Sequence, residues 1–510
     1  MTAINPVIYA DFPDPDVVRV GDCYYMISTS MHMFPGAQIL RSYDLMHWEH
    51  CSYVYDSLGE TARQRMDEGH IYGMGMWAAA LKHGGGLFHA VFTSNDTGHS
   101  YHFTAEDAAG PWTRQPMEGA SGAPAFWYDP GLLFDEDGCQ PGSGRVYVAH
   151  GNRTVRITEL TADLSAKKAD GLDRVVVVDD NPRLGWEGSH LIKHGGWYYL
   201  FCIHWRPDAM RAMGCFRARS LDGDFEGGEF MELDLDDRHA GVAQGGPVQL
   251  HDGSWALFLF QDHGAVGRIP VAVPFRWVDG WPVVDAVPKH LNLPTARPDY
   301  QYAPLYASDD LRGGWSVLWQ WNHEPHLDLI DSDEDGLHIT TDRLAADCTQ
   351  AINTLTQRCF GPRCTAEVTV DGTGLNVGDH AGICALQGCF AQLALTRTAE
   401  GYALSLMTRE DEHAPYAIAP ATEPVSELAR IAAPGGCVRL RAAFDFTRDT
   451  VQMAVQTGDG WTNIGQPHQL VYRLDHFMGC RVGLFVYSTQ AAGGTACFRD
   501  FVYHAEEEKV

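Results

Sequence analysis

The chain alternates throughout between short apolar or aromatic runs and polar turns rich in glycine, aspartate and asparagine. Runs of about four to eight such residues between turns are typical of β-strands. No long segment of the sequence shows the helical period of 3.6 residues, and we predict one short helix within residues 55–68. The pattern therefore predicts an all-β protein.

One pattern recurs five times in the first part of the chain: an apolar strand, a polar turn and a second apolar strand. Its copies begin at Asp14, Trp77, Asp129, Glu187 and Gly245. These starts are roughly 50 to 65 residues apart, and periods of that size in β-rich sequence are typical of propeller blades. We predict a five-bladed β-propeller over residues 1–295. Unrelated hairpins are the alternative, but they would not be expected to keep this order.

The pattern changes after a stretch at residues 285–306 that contains several prolines and that we predict to be a linker. Short strands separated by turns follow, and this spacing is typical of a β-sandwich, which we predict over residues 307–510. The predicted strands are 365–370, 381–386, 390–396, 402–408, 437–445, 450–457, 481–487 and 496–503.

Length, charge and cysteine content narrow the function. A chain of 510 residues is too long for one ordinary core, which favours two domains. The formal net charge of −29 disfavours nucleic acid and membrane as partners and suits a neutral substrate. The 13 cysteines lack the spacing of zinc sites, and the sequence shows no signal peptide or membrane-spanning run. We therefore expect buried free thiols and a cytoplasmic protein, and a homo-oligomer stays open.

Three of the five starts are acidic, and equivalent positions in a ring of blades converge on one cavity. Hydrolysis of a glycosidic bond needs one carboxyl as acid and another as nucleophile or base. Blades three and four are neighbours, so Asp129 would raise the pKa of Glu187 and suit it as the general acid. Asp14 lies on the non-adjacent first blade, where a wider gap would leave room for a water. A separation of roughly 6.5–9.5 Å would mean inversion.

Other acidic residues compete for these roles. Asp11 and Asp16 flank Asp14 as alternatives for the base. The alternatives to Asp129, which are Asp135, Glu136 and Asp137, fall in the turn at the far end of the strand. Glu187 has no close acidic competitor in the sequence.

At these positions the chain resembles glycoside hydrolase family 43, in particular its two-domain β-xylosidase and α-L-arabinofuranosidase members. The matching motifs are Asp-Phe-Pro-Asp-Pro-Asp at 11–16, Met-Trp-Ala at 76–78, Tyr-Asp-Pro at 128–130, Trp-Glu-Gly-Ser-His at 186–190, Gln-Gly-Gly at 244–246 and Gln-Trp-Asn-His at 320–323. The resemblance implies a five-bladed propeller followed by a sandwich that helps to close the pocket. It also implies inverting hydrolysis, with Asp14 matching the base, Asp129 the pKa modulator and Glu187 the acid.

The resemblance extends to candidate substrate-binding residues. Phe34 and Trp77 could wall a sugar pocket, although a core role is an alternative for both. Arg268 could donate hydrogen bonds to sugar hydroxyls, or could form a structural ion pair. Gln244 is expected near the central axis. Relatives often carry histidine just before this glutamine, near a central cation, but here the residue is Ala243. We predict no metal ligand and no required cofactor, while a structural cation such as calcium at the axis stays open.

The sequence therefore predicts an exo-glycosidase that releases xylose, arabinose or both from short plant-derived oligosaccharides. A retaining fructosidase-like enzyme is one alternative, but its Asn-Asp-Pro-Asn motif is missing around Asp14. A sugar-binding protein without activity is another, but it would be expected to have lost a carboxyl. The preference between xylose and arabinose is left open.

Overall fold

The computed structural model describes residues 3–119, 122–135, 144–236, 238–410 and 423–506. These residues form β-strands connected by turns, with 3₁₀ helices at Ala62–Arg65, Gly264–Val266 and Leu327–Leu329. The first of them confirms the short helix predicted within residues 55–68. Glu136 and Asp137, which the sequence offered as alternatives to Asp129, lie outside the described residues.

Five four-stranded antiparallel sheets follow one another along the first part of the chain. The innermost strands of neighbouring sheets touch in order, and the fifth touches the first. The ring is therefore closed, which confirms the five-bladed propeller. From the innermost strand outward, blade 1 contains Asp16–Val20, Cys23–Ile27, Gly36–Ser42 and Glu49–Tyr55, and blade 2 contains Met76–Gly84, Leu87–Ser94, His99–Ala105 and Thr113–Gln115. Blade 3 contains Gly131–Asp135, Arg145–His150, Thr154–Leu160 and Asp173–Val178, and blade 4 contains Leu184–His194, Trp197–Trp205, Arg211–Ala218 and Glu226–Met231. Blade 5 contains Val242–Gln249, Trp255–Asp262, Arg268–Val278 and Trp281–Val283.

The recurring sequence pattern corresponds to the two inner strands of each blade. In blade 4, Leu184–His194 pairs with Trp197–Trp205 across the turn at Gly195 and Gly196, whose φ angles are +56° and +76°. Glycine adopts such angles without steric cost, which explains the His-Gly-Gly turn. The second strand is buried along most of its length, because neighbouring blades cover both of its faces.

The second part of the chain is a sandwich of an eight-stranded and a seven-stranded sheet, as predicted. All eight strands predicted there are present, with ends that differ by a few residues at most. The first sheet contains, in order, Val425–Ala432, Gly401–Arg409, Ala391–Thr398, Asp379–Leu386, Arg481–Ser488, Thr354–Arg358, Gln320–Asn322 and Met33–Phe34. The second contains Ile330–Ser332, Leu337–Thr340, Thr495–Ala505, Arg363–Asp371, Cys437–Asp445, Thr450–Thr457 and Gly460–Gln469.

Two short strand pairs connect parts of the chain that are far apart in sequence. Met33–Phe34 of the propeller pairs with Gln320–Asn322 and so completes the edge of the sandwich sheet. Ala3–Ile4 pairs with His290–Leu291, beyond the last blade. The domain limits 1–295 and 307–510 stay predictions. In the part of the chain that the structure covers, every helix is too short or too polar to cross a membrane.

Candidate active site

The innermost strands of blades 1, 3 and 4 present the three predicted carboxyls, but not at identical positions. Asp14 and Asp129 lie two residues before their strands, and both have positive φ, +52° and +47°. In blade 4 the corresponding left-handed residue is Gly188, with φ +63°. Glu187 therefore stands one residue ahead of the equivalent position, which corrects the expectation that the three acids are equivalent.

Irregular pairing explains how Glu187 still faces the site. Its strand pairs with the next one through Glu187 and Ile203, and the register shifts on both sides of this pair. Such bulges bend a strand and re-aim its side chains, and they are frequent beside active sites. Gly188 then donates its backbone N–H to Asp129 Oδ2 at 3.2 Å, which links the strand of the acid to the neighbouring carboxyl.

Asp14 is held by charged and polar donors. Arg268 Nη1 donates to its Oδ1 at 2.9 Å and to its Oδ2 at 3.0 Å, and the Thr29 hydroxyl donates to Oδ2 at 2.6 Å. Both partners of this ion pair are buried. A buried pair with these hydrogen bonds fixes the carboxylate in one orientation.

The two competitors for the base role have structural partners instead. Asp11 accepts backbone N–H groups of Arg268 and Gly479, at 2.7 and 3.0 Å. Asp16 accepts the Lys82 ammonium and the backbone N–H of Leu81. Asp14 is the one of the three whose charge acts on both Glu187 and Asp129, so it is the best placed to act on a water at the same site.

Glu187 lies in a nearly closed environment with donors on one oxygen. Asn152 Nδ2 donates to Oε2 at 2.5 Å, and the Tyr128 hydroxyl donates to the same atom at 3.3 Å. Burial raises the pKa of Glu187 to about 7, against the opposing effects of the Arg211 charge and of these hydrogen bonds. A carboxyl that holds its proton near neutral pH is suited to general acid catalysis.

The pKa of Asp129 is also raised, first by burial and then by the charges of Glu187 and Asp14. This corrects the predicted cause of the Glu187 shift, since burial, rather than the charge of Asp129, is its main source. Two buried carboxyls this close titrate as a pair, because ionising one makes it harder to ionise the other. The competitor Asp135 lies apart from this pair, bound to Lys193 and Tyr198.

Aromatic rings surround the carboxyls on the side of Trp77. Its ring centroid lies 5.8 Å from that of Tyr128 and 5.7 Å from that of Phe477, edge to face in both cases. Phe477 comes from the sandwich, and its ring centroid lies 4.6 Å from the guanidinium carbon of Arg268. Phe477 of the sandwich therefore contacts both Trp77 and Arg268 of the propeller.

The remaining two predicted residues lie in different surroundings. The Gln244 side chain packs on Gly188. A Cβ added at Gly188 would lie 2.8 Å from Gln244 Cγ. Gln244 is therefore next to the strand of the acid. Phe34 is 1 % exposed and packs against Tyr55 in a core shared by the first two blades. Its ring serves that core, and a contact with sugar stays a prediction.

Sequence reasoning did not assign roles to Thr29, Asn152 and Phe477. Asn152 follows the second strand of blade 3. Phe477 lies more than 200 residues from Arg268 in the sequence, but Arg268 Nη2 donates to the Phe477 carbonyl oxygen at 3.4 Å. Their neighbours Trp77 and Arg268 were predicted, and Tyr128 belongs to the Tyr-Asp-Pro motif. The other contacts depend on how the blades and the sandwich meet.

The side chains near the axis do not fit the structural cation that the resemblance left open. The oxygens of Asp16 already accept three hydrogen bonds from Lys82 and Leu81. Lys82 also brings a positive charge to this place, which disfavours a metal cation beside it. Across the described ranges, no group of three or more histidine, cysteine, aspartate or glutamate side chains is suited to hold a metal.

Family comparisons agree with this architecture. Residues 3–282 match the model of glycosyl hydrolases family 43. Residues 312–504 match the β-xylosidase C-terminal concanavalin A-like domain. The two matches follow the order of propeller and sandwich in the structure.

Similar proteins carry related names. A putative β-xylosidase of Xylanibacter ruminicola is 32% identical over 378 residues, which cover 70% of this chain and 68% of that protein. A β-xylosidase of Formosa agariphila is 26% identical, over 77% of this chain and 74% of its own. A xylosidase/arabinosidase of Butyrivibrio fibrisolvens is 28% identical, over 60% of this chain and 62% of its own.

Solved structures extend the similarity to the whole chain. A bifunctional GH43-CE protein of Bacteroides eggerthii superposes with a TM-score of 0.88 at 35% identity and covers 99% of this chain. This chain spans 64% of that longer protein. An engineered GH43 enzyme described as having both endo-xylanase and exo-arabinofuranosidase activity superposes with a TM-score of 0.86 at 25% identity, over 99% of this chain and 100% of its own. The chain belongs to glycosyl hydrolase family 43, a family of inverting glycoside hydrolases.

Proposed function

We propose that the chain is an exo-acting glycosidase that removes terminal xylosyl or arabinofuranosyl units from short neutral oligosaccharides. The observation that carries this proposal is the grouping of Asp14, Asp129 and Glu187, with the pKa of Glu187 raised to about 7. Phe477 of the sandwich, packed on Trp77, supports exo attack, because a wall contributed by a second domain leaves little room for a chain to pass through. The names of the relatives support pentose substrates.

In the proposed mechanism, Glu187 donates its proton to the glycosidic oxygen as the bond to the anomeric carbon breaks. Asp14 accepts a proton from the water that attacks the opposite face of the sugar. Its Oδ1 accepts one hydrogen bond in the structure, so a second lone pair remains for this water. Arg268 balances the negative charge of Asp14. Asp129 titrates together with Glu187, because ionisation of either carboxyl disfavours ionisation of the other.

The arrangement of the blades supports single displacement. Asp14 belongs to blade 1 and Glu187 to blade 4, and blade 5 stands between them on the shorter way around the ring. Inverting enzymes need such a gap because the water has to fit between the base and the sugar. We therefore expect the product sugar to appear first as the inverted anomer, which NMR of the early reaction mixture would detect. An initial product of retained configuration would contradict the mechanism.

Substitution of each carboxyl tests the assigned roles. We expect Glu187→Gln to lower turnover of xylobiose by about 10²–10⁴-fold, the usual contribution of a general acid. The loss should be smaller with 4-nitrophenyl β-xyloside, because 4-nitrophenolate leaves without much protonation. Asp14→Asn should lower turnover of both substrates by similar factors, since activation of water is needed for either leaving group. The measurement is initial-rate kinetics on both substrates, with 4-nitrophenyl α-L-arabinofuranoside in parallel to define the preferred sugar.

Asp379→Asn is a suitable control for these variants. Asp379 is a buried sandwich carboxyl whose pKa is raised by burial, but it lies outside the site. This variant should keep wild-type rates. Wild-type rates of Glu187→Gln on xylobiose, or inactivity of the wild-type protein on every pentoside offered, would refute the proposed function.

We also propose that the protein works in a reducing compartment such as the cytoplasm. The cysteines in the described ranges are free thiols, and most of them are buried. Burial of thiols in a β-rich core is compatible with reducing conditions, where disulfides are rare. Fractionation of the native host, followed by immunodetection, tests the location, and recovery of the protein outside the cell would refute it.

A further inference from the structure

Three charged or polar side chains meet at the axis of the propeller, outside the set of groups that act on the bond. Asp16 begins the innermost strand of blade 1 and stands two residues after Asp14. Lys82 belongs to the innermost strand of blade 2. His190 belongs to that of blade 4 and stands three residues after Glu187. The cluster is therefore connected through short stretches of backbone to both the base and the acid.

Asp16 and Lys82 form a tight ion pair between blades. Lys82 Nζ lies 2.9 Å from Oδ1 and 2.7 Å from Oδ2 of Asp16, and the Leu81 backbone N–H donates to Oδ2 at 2.8 Å. The Asp16 side chain is 4% exposed and that of Lys82 20%. A buried carboxylate is costly unless a charge and hydrogen bonds compensate it, so Asp16 depends on Lys82.

His190 extends this pair to the strand of the acid. Its Nδ1 lies 3.2 Å from the Gly188 carbonyl oxygen, within hydrogen-bond distance. Its buried Nε2 faces Asp16 Oδ1 at 3.5 Å, without forming a hydrogen bond. Space for the imidazole comes from Gly246 of blade 5, where a Cβ would lie 2.6 Å from His190 Cδ2.

We propose that Lys82, Asp16 and His190 form an axial unit. This unit positions the turn that carries the base, Asp14, against the strand that carries the acid, Glu187. In this unit the Lys82 ammonium supplies the positive charge at the axis, in place of a bound cation. The inference deepens the proposed function and rests on it. All three are positioning residues, since they act through the backbone at Asp14 and Glu187.

The backbone around Asp14 explains why this anchoring matters for catalysis. Asp14 has a left-handed φ of +52°, an unfavourable conformation for a residue with a Cβ. The neighbouring contacts must hold it there, and Asp16 provides one anchor immediately after the turn. Without Lys82, the uncompensated Asp16 carboxylate would move toward water, and this movement would displace the adjacent turn that contains Asp14.

The test compares Lys82→Met with Lys82→Arg. We expect Lys82→Met to lower kcat on xylobiose at least about tenfold with little change in KM, because misplacement of a catalytic group costs rate more than binding. Lys82→Arg keeps the charge and should recover part of the loss. Lys193→Met is the matched control, because Lys193 forms a similar pair between blades with Asp135 at 2.8 Å, away from the catalytic turn. It should lower the thermal midpoint but leave kcat unchanged.

A double variant keeps the test decisive if Lys82→Met folds poorly. Asp16→Asn combined with Lys82→Met removes the unpaired charge, so we expect the thermal midpoint to recover while kcat stays low. Wild-type kcat in either Met variant at position 82, or an equal loss of kcat in Lys193→Met, would overturn the positioning role. Wild-type turnover is measured first, so failure of the proposed function would be recognised separately.

The charge of Lys82 can be tested without reference to activity. We expect the thermal midpoint of the wild-type protein to be the same in chelator and in millimolar calcium, since the ammonium already occupies the axis. A clear fall in the wild-type midpoint on addition of chelator, reversed by calcium, would show that a metal cation is bound and would overturn this part of the proposal.

Discussion

The two donors on Glu187 determine where its proton lies. Asn152 and Tyr128 both donate to Oε2, so this oxygen acts as an acceptor in the structure. A protonated carboxyl has one O–H group, which leaves Oε1 as the atom that carries the proton. The acid would then present its proton from a single, defined oxygen, while Asn152 fixes the other.

Asn152 should therefore tune the pH profile. Its hydrogen bond lowers the pKa of Glu187 by stabilising the ionised form, in opposition to burial. We expect Asn152→Ala to move the basic limb of kcat/KM on xylobiose to higher pH, by about half a unit to one unit. Asn152→Asp adds a like charge and should move it further. The measurement is the pH dependence of kcat/KM between mildly acidic and basic buffers.

Asn5→Ala is the control for this experiment. Asn5 is a buried asparagine that donates to the carbonyls of Ala272 and Pro288, far from the acid. Its loss should lower thermal stability without moving either limb of the profile. A basic limb that moves to lower pH in Asn152→Ala, or that stays in place, would contradict the assigned hydrogen bond.

The raised pKa of Glu187 also has a consequence for stability. A carboxyl whose pKa rises from 4.5 to about 7 on folding binds protons more tightly in the folded protein. The folded state is therefore favoured below pH 4.5, and this contribution is lost as the pH rises through about 7. Glu187→Gln, which cannot ionise, should be more stable than the wild type at pH 8, by on the order of 1–3 kcal/mol. Chemical denaturation at several pH values should show this difference shrinking toward acidic pH, and a constant difference would contradict it.

The innermost strand of blade 4 shows what local patterning can and cannot predict. The apolar runs and the His-Gly-Gly turn placed the strand and its hairpin correctly. The pattern did not reveal that Gly188, rather than Glu187, takes the left-handed position. This strand is buried along most of its first part and shows no apolar–polar alternation that the extra residue of a bulge would interrupt, so the offset is invisible in the sequence.

Gly188 offers a test of this bulge. Alanine at this position would be strained at φ +63°, and its Cβ would press on Gln244 Cγ. We expect Gly188→Ala to cost about 1–3 kcal/mol of stability and to lower kcat at least tenfold, because the backbone that carries Glu187 would shift. Denaturant unfolding and kinetics on xylobiose measure both effects.

Gly195→Ala separates strain from displacement of the acid. Gly195 has a similar φ of +56° in the hairpin turn of the same blade, and no atom within 4 Å would meet its Cβ. It should lose stability from strain alone and keep its activity. Equal activity of the two variants would show that the bulge does not position Glu187.

At the scale of the whole molecule, the sequence predicted the order of a propeller and a sandwich but not how they join. The strands of both were visible as alternating runs, and the acidic starts marked the blades that hold the carboxyls. Met33–Phe34, by contrast, leaves the propeller to complete a sandwich sheet. Phe477 reaches the site from a loop of the sandwich, and contacts over such separations depend on docking of the two parts rather than on any local pattern.

Phe477 should therefore make substrate binding depend on the second domain. Its ring packs against Trp77 and over Arg268, and its carbonyl lies 3.4 Å from Arg268 Nη2. We expect Phe477→Ala to raise KM for xylobiose about tenfold with a smaller change in kcat, because an apolar wall binds the sugar similarly in the ground state and the transition state. Phe477→Leu, which keeps an apolar wall, should lie between this variant and the wild type. Initial-rate kinetics on xylobiose measure KM and kcat of each variant, and thermal unfolding confirms that each variant is folded. An unchanged KM in a folded Phe477→Ala protein would mean that the propeller alone forms the sugar pocket.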